Sequence, residues 1–278
     1  MPELPEVEVI RRDLEREVVG RKIADVEVYR MRTIRRHPNK TRFKTALVGR
    51  KIISVGRRGK YLVLRLDNES ALVIHLGMSG RLLREKSKKS ATLPHTQVVI
   101  TFTQGGKLCF VDPRQFGEMF VTSLDELDNI PELQHLGFDP IEDPISWIDF
   151  GRRISERKAK LKSLLMDQEF ISGIGNIYSD EILFEAGLRY DRRSDSLTSQ
   201  EVRRLSRAIQ EVLHEAIKHR GTTAEDEQYV DLFGEPGSFQ TVAQVYQRTG
   251  KPSPRCRTPI ERAKFGGRHT WYCPQCQS

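Results

Sequence analysis

Apolar residues open the chain at helical spacing. Val7, Ile10, Leu14 and Val18 share one face, with polar residues between them. Pro5 suits a first helical turn, where a missing N–H costs nothing, and Gly20 ends the run. The spacing predicts a helix over residues 5–19. The period then changes. "KIADVEVYR", "KIISVGRR", "KYLVLRLDN", "SALVIHLG", "TQVVITFT", "KLCFVD" and "EMFVTS" are short and rich in Val, Ile, Leu and Phe, and turn chemistry such as "DNES" and "QGG" separates several of them. Many short strands at even spacing predict an antiparallel sandwich or barrel. "REKSKKSATLP" reads as a mobile loop. "NIPELQHLGFDPIEDPIS" carries three prolines without a clear period and reads as a linker. Beyond it "SWIDFGRRISE", "KLKSLLMDQ", "NIYSDEILFEAG" and "SQEVRRLSRAIQEVLHEAIKHR" each fit a helical period. Residues 221–250 are loop-like again. No internal repeat is present.

Composition narrows the class. The 278 residues are 37% hydrophobic and 30% charged, which predicts one large or two ordinary globular domains. No apolar run approaches the roughly 18 residues of a membrane span. No basic stretch followed by an apolar one opens the chain, so the expected compartment is the cytoplasm. The net charge of +8 favours a polyanionic partner. The charge is grouped: Arg30, Arg32, Arg35, Arg36, Lys40, Arg42 and Lys44 come first, then Arg57, Arg58 and Lys60, then a run from Arg81 to Lys89.

Three segments carry candidate chemistry. Three of the four cysteines fall near the end, in "RCRTPIERAKFGGRHTWYCPQCQ". Cys273 and Cys276 form a Cys-x2-Cys pair, and a hairpin with a "GG" turn fits between them and Cys256. Such grouping in a cytosolic chain points to metal before disulfide. A zinc ribbon would have a fourth cysteine three residues before Cys256, where Ser253 stands. Three thiolates with water or with His269 remain able to hold zinc. Cys109, in "KLCFV", reads as a small buried hydrophobe. The second segment, "ISGIGNIYSDEILFEAG", sets Gly173, Gly175 and Asn176 before a helix whose first N–H groups can hold a phosphate. The third is "MPELPEVE". If Met1 is removed, Pro2 carries a free secondary amine titrating near pH 8. Attack on a sugar C1′ gives an iminium, an electron sink, and Glu3 is the adjacent acid/base.

The order of "MPELPEVE", "RRGKYL", "HLGMSGRL", "DPRQFG", "GIGNIYSDEILF" and a cysteine hairpin resembles the bacterial formamidopyrimidine-DNA glycosylases over essentially the whole chain. The endonuclease VIII relatives are less similar, usually having Gly at the position of Leu4. The resemblance implies an α+β fold of several domains. Residues 1–130 would form a two-sheet antiparallel β-sandwich with a leading helix, the catalytic domain, and 131–150 a linker. Residues 151–240 would form a helical helix–two-turn–helix domain, including a lesion-covering loop at about 221–240, and 244–278 a zinc-finger-like hairpin. It implies a monomeric enzyme that excises oxidised purines from duplex DNA by base flipping and cuts the strand by β,δ-elimination.

By that resemblance Pro2 is the nucleophile, Glu3 the acid/base and Glu6 its support. Lys60 contacts phosphate beside the lesion and assists catalysis. Arg268, at the hairpin tip, holds the flanking phosphates. His75 and Asn176 are phosphate contacts. Met78, Arg114 and Phe116 fill the space the flipped base leaves, with Phe116 as wedge. Cys256, Cys273 and Cys276 would ligate one structural zinc ion. Two departures stand out. Ser253 is one, and the acidic Glu225, Asp226 and Glu227 in the expected lesion loop are the other. The alternatives are an enzyme for oxidised pyrimidines and a DNA-binding protein of the same fold that has lost catalysis.

Overall fold

The computed structural model describes residues 1–87, 91–224 and 229–278, so Glu225, Asp226 and Glu227 lie outside the described residues. Helix α1 (Leu4–Val18) comes first, followed by β1 (Ile23–Val28), α2 (Lys40–Leu47), β2 (Ile52–Arg58), β3 (Tyr61–Leu66), β4 (Ser70–His75), β5 (Arg81–Glu85), β6 (Thr96–Phe102), β7 (Lys107–Val111) and β8 (Glu118–Ser123). Then come α3 (Leu124–Leu127), α4 (Pro131–Gln134), α5 (Trp147–Ser155), α6 (Leu161–Met166), α7 (Asn176–Ala186), α8 (Ser199–Lys218), β9 (Glu261–Phe265) and β10 (Arg268–Tyr272). Among the described residues no helix is long and apolar enough to cross a membrane.

The chain divides into two compact units, Met1–Gln134 with His219–Ser238, and His135–Lys218 with Phe239–Ser278. In the first, two antiparallel sheets ordered β1-β6-β7-β5 and β2-β3-β4-β8 form the expected sandwich. One core takes Val26, Val98, Ile100 and Phe110 from one sheet and Val55, Leu62, Leu64, Leu72 and Ile74 from the other. Val7, Ile10, Leu14 and Val18 of α1 join it, as their spacing predicts. Cys109 is buried, and burial pushes its thiol up to about 11. In the second unit α5, α6, α7 and α8 enclose a separate core that includes Phe150, Leu164, Tyr178, Leu205 and Leu213. Residues at 135–146, within the expected linker, attach here: Gly137 N–H donates to the Gln168 carbonyl at 2.8 Å.

Among the elements that the apolar pattern does not predict are the short helices α3 and α4, the second of them within the expected linker, helix α2 and strand β5. Helix α2 lies inside the first basic group and buries only Phe43 and Leu47. Its start is set by Asn39, whose side chain accepts the Arg42 N–H at 2.9 Å. Strand β5 occupies the start of the second basic run and overlaps "REKSKKSATLP", for which the sequence predicts loop. Its charge hides its burial, because Arg84 lies in the protein with its guanidinium 5.4 Å from the Phe102 ring centre.

Helix α1 is fixed to β2 by a buried ion pair. Arg57 Nε donates to Glu8 Oε2 at 3.0 Å, with both side chains essentially inaccessible. Burial alone would raise the Glu8 carboxyl, but hydrogen bonds from Arg11 and Arg12 and the Arg57 charge hold it below the usual range. Removing one member of such a pair strands the other charge. Arg57→Met is expected to cost about 3–5 kcal/mol, read by chemical denaturation followed by far-UV circular dichroism.

Candidate active site

The first unit holds the expected reaction centre at the start of α1. Pro2 is buried and Glu3, the helix N-cap, is 3% exposed. The Glu3 N–H donates to Glu6 Oε2 at 2.8 Å within a capping box. Glu6 Oε1 accepts the Thr222 N–H at 2.7 Å. At Gly221, where φ is +82°, a Cβ would stand 2.7 Å from Glu6 Oε1, so the site takes glycine both for conformation and for space. Next to it Arg220 reaches Asp231 Oδ2 from Nε at 2.9 Å and from Nη2 at 2.6 Å, and also pairs with Asp13 of α1. The Tyr229 hydroxyl donates to the Arg220 carbonyl at 3.0 Å. Burial, then the charges of Glu6 and Asp231, push that phenol well above its ordinary value. The described flanks of the expected lesion loop are therefore folded onto α1, in the first unit, whereas the sequence groups them with the helices.

The buried Lys60 follows from the same anchor. Arg57, held by Glu8, also donates from Nη1 to the Gly59 carbonyl at 3.1 Å, which fixes the tip of the β2–β3 hairpin. Lys60 is the next residue and is 9% exposed. Across the sheet Tyr61 pairs with His75, their ring centres 4.6 Å apart. Burial and then the Lys60 charge lower the His75 imidazole to about 4. His75 Nδ1 accepts the Gly77 N–H at 3.3 Å, so the neutral ring carries its proton on Nε2.

Met78 and Phe116 are large apolar residues left 40% and 44% exposed. The Arg114 guanidinium lies 5.0 Å from the Phe116 ring centre. The loops that carry them touch: a Cβ on Gly77 would meet the Gly117 nitrogen at 2.6 Å. Asp112, fully buried, holds both loops. Its Oδ1 accepts the Ser79 hydroxyl at 2.6 Å and the Arg114 N–H at 3.2 Å, and its Oδ2 accepts the Gly117 N–H at 2.8 Å.

In the second unit the glycine turn is threaded by one side chain. Gln168 Nε2 donates to the carbonyls of Met166 at 2.9 Å and Ile174 at 2.8 Å, while its Oε1 accepts the Gly173 N–H at 2.9 Å. Asn176 begins α7 with its buried Oδ1 lacking a hydrogen-bond partner among the described residues. Further along α7, buried Asp180 accepts from Lys162 Nζ at 2.6 Å and from Thr270 Oγ1 at 2.5 Å, and from the Trp271 N–H at 3.1 Å. Burial raises its carboxyl to about 6 against those partners. Glu181 accepts the N–H groups of Gln244, Val245 and Tyr246. The β9–β10 hairpin turns at Gly266–Gly267 and presents exposed Arg268. Behind it the sulfurs of Cys256, Cys273 and Cys276 lie within 4.8 Å of one another, and His269 is not part of the group. Hydrogen bonds, first from Thr258 and then from Cys276, hold the Cys256 thiol below its ordinary value, while burial and then the bond to Cys256 raise the Cys276 thiol.

Comparison with known proteins matches the same three parts. Residues 1–119 match the formamidopyrimidine-DNA glycosylase N-terminal domain, 136–228 the H2TH domain of that enzyme, and 250–278 a zinc finger found in FPG and IleRS. The chain belongs to the formamidopyrimidine-DNA glycosylase family. It is 42% identical over 277 residues to the formamidopyrimidine-DNA glycosylase of Pelotomaculum thermopropionicum, covering 100% of this chain and 99% of that one. The Heliobacterium modesticaldum protein of the same name is 44% identical, with both chains fully covered. The crystal structure of MutM (Fpg) from Thermus thermophilus is similar at a TM-score of 0.87 and 40% identity, covering 99% of this chain and 98% of that one. The Lactococcus lactis Fpg bound to abasic-site DNA is similar at a TM-score of 0.90 and 32% identity, covering 99% of each. A zinc-finger family match over three converging thiols gives the hairpin of this family member a structural zinc ion.

Several residues that shape these sites are invisible to motif reading. Asp112 and Ser79 sit inside recognised motifs, yet only the fold shows that they join two loops. Gln168 carries no signal beyond its nearness to the glycine turn. Arg220 and Asp13 are 207 residues apart. Asp112→Ala would strand the Gly117 N–H and the Ser79 hydroxyl proton, and leave the Arg114 N–H only its 3.3 Å bond to Ser79 Oγ. It is expected to cost about 1–3 kcal/mol and to raise hydrogen exchange at the Gly117 amide. For His75, whose folded value lies below the unfolded 6.5 at about 4, stability is present above pH 6.5 and lost as pH falls towards 4. An NMR titration of the ring with its midpoint near 4 checks the first part, and the pH dependence of unfolding the second.

Proposed function

We propose that this chain excises oxidised purines from duplex DNA through its own second residue. Removal of Met1 leaves Pro2 as a secondary amine titrating near about 8, so a neutral fraction exists at working pH. Its lone pair attacks C1′ of the flipped nucleotide. The N-glycosidic bond breaks, and the base leaves with a proton delivered at Glu3. The amine gives up its proton, the C1′–O4′ bond opens with a proton passing to O4′, and the resulting iminium draws electrons from the sugar. Loss of the 3′ phosphate by β-elimination and of the 5′ phosphate by δ-elimination follows. Glu6 keeps the α1 start in place and couples it to the Thr222 backbone. Lys60 supplies positive charge to a phosphate. His75, neutral near pH 7, would contact phosphate as an Nε2–H donor rather than as an ion.

Met78, Arg114 and Phe116 take the vacated space. Exposed apolar side chains on loops braced by a buried carboxylate suit insertion into a base stack, and the arginine offers donors to the orphaned cytosine. Asn176, the N–H groups opening α7, and Arg268 hold phosphates, which sets affinity and its salt dependence rather than the choice of lesion. Cys256, Cys273 and Cys276 would hold the zinc ion, which contributes folding energy to the hairpin. The compartment is the one holding the DNA, the cytoplasm.

The observation that carries this reading is the buried Pro2–Glu3 start of α1, locked by Glu6, in a chain of this family. Borohydride reduction during incubation with 8-oxoguanine duplex should trap a covalent protein–DNA adduct. Pro2→Gly, or a blocked N-terminus, should lower trapping by about 10²-fold or more. Tight binding without an adduct on any lesion would make the chain a non-catalytic binder. An adduct formed only on oxidised-pyrimidine DNA would reassign its substrate.

A further inference from the structure

The hairpin's donor set differs from four thiolates at one position, and the geometry there is that of a ligand turn. Two segments of the same form face each other, Ser253-Pro254-Arg255-Cys256 and Cys273-Pro274-Gln275-Cys276. Ser253 is fully buried. Its N–H donates to the Thr258 carbonyl at 2.9 Å, and its carbonyl accepts the Arg257 N–H at 3.1 Å. The Arg255 N–H donates to Ser253 Oγ at 3.3 Å. Ser253 Oγ lies 3.6 Å from Cys276 Sγ. Cys256 Sγ lies 3.4 Å from Cys273 Sγ and 3.1 Å from Cys276 Sγ.

These separations can be set against a tetrahedron. Zinc–sulfur bonds of about 2.3 Å and a zinc–oxygen bond of about 2.0–2.2 Å give a sulfur–oxygen edge of roughly 3.5–3.7 Å and sulfur–sulfur edges of roughly 3.8 Å. The observed serine–cysteine edge of 3.6 Å falls in that range, and the sulfurs need only move apart slightly. The valences also close. A serine oxygen has two lone pairs and one proton. One lone pair takes the Arg255 N–H and the second is free for a metal, with the proton then turned away from the thiols. Among the described residues no histidine or carboxylate joins the three thiols.

We propose that Ser253 is the fourth zinc ligand, through its neutral hydroxyl oxygen, making a three-thiolate, one-oxygen site. The inference rests on the hairpin being a zinc site. The site then carries a net charge of about −1 in place of the roughly −2 of four thiolates. A neutral, harder donor holds zinc less tightly than a thiolate. The ion is therefore more readily exchanged, and the order of the strand carrying Arg268 depends on zinc supply.

The test compares the full chain with Ser253→Cys and Ser253→Ala, each verified as folded by circular dichroism. Cobalt(II) substitution reads the donor set, and competition with a chromogenic chelator reads zinc affinity and release. Ser253→Cys should raise sulfur-to-cobalt charge-transfer intensity by roughly one third, from three thiolates to four, and tighten zinc by about tenfold or more. Ser253→Ala should weaken binding and shift the cobalt ligand-field bands. If Ser253→Ala matches the parent in spectrum and affinity, or Ser253→Cys leaves both unchanged, Ser253 is not a ligand. If neither the parent nor Ser253→Cys binds cobalt or zinc, the zinc assignment itself falls, and the inference with it.

Discussion

One carboxylate, Glu6, holds the reactive end of this protein in place. A chain terminus is the segment with most conformational freedom, and ordering each backbone residue costs roughly 1–2 kcal/mol. The nucleophile proposed at position 2 must nevertheless stay fixed. Glu6 accepts the Glu3 N–H with one oxygen and the Thr222 N–H with the other. It thereby closes a helix start and pins a segment 216 residues away. Two residues on, Glu8 pairs with Arg57, and Arg57 in turn grips the hairpin tip that precedes Lys60. The first two turns of α1 are thus a buried polar bracket. Each member is satisfied, which is the condition under which buried charge is tolerated.

The second unit repeats the device on one helix. Consecutive acids in α7, Asp180 and Glu181, point to different partners. Asp180 takes Lys162 and the backbone and hydroxyl of β10, and Glu181 takes three N–H groups from the segment before the hairpin. The helix that opens at the glycine turn therefore also carries the hairpin of Arg268. The phosphate contacts proposed for that turn and for Arg268 would need a fixed separation, because successive DNA phosphates are evenly spaced. The shared helix provides it, and apolar packing of Phe184 with Trp271 and Cys273, and of Tyr272 in the helical core, adds to the polar contacts.

Position in the sandwich also decides which charges are solvated. Arg57, Arg84 and Lys60 belong to runs that look like surface, yet each is at least nine-tenths buried. Arg84 sets its guanidinium over the Phe102 ring, and Arg57 pairs its charge with Glu8. The exposed apolar pair, Met78 and Phe116, is the converse. A residue type alone would place it in a core, but the Asp112 bracket holds it outward.

The sequence by itself determined the elements whose period is strong and local. Helix α1 was legible because four apolar residues recur on one face, and seven strands because their apolar runs are bounded by turn residues. Motif order gave the family, the candidate nucleophile and the cysteine hairpin, since each motif is a short contiguous signal. Helix α2 and strand β5 were hidden because their apolar anchors are few and basic residues surround them. Only the tertiary structure decided what depends on residues distant in the chain. It attached the described flanks of the expected lesion loop to α1 rather than to the helices, joined two loops through Asp112, and set Ser253 Oγ beside the thiols. Each of these is a hydrogen bond or steric contact between segments far apart in sequence. No periodicity records such a pairing, because it exists only once the core has brought the segments together.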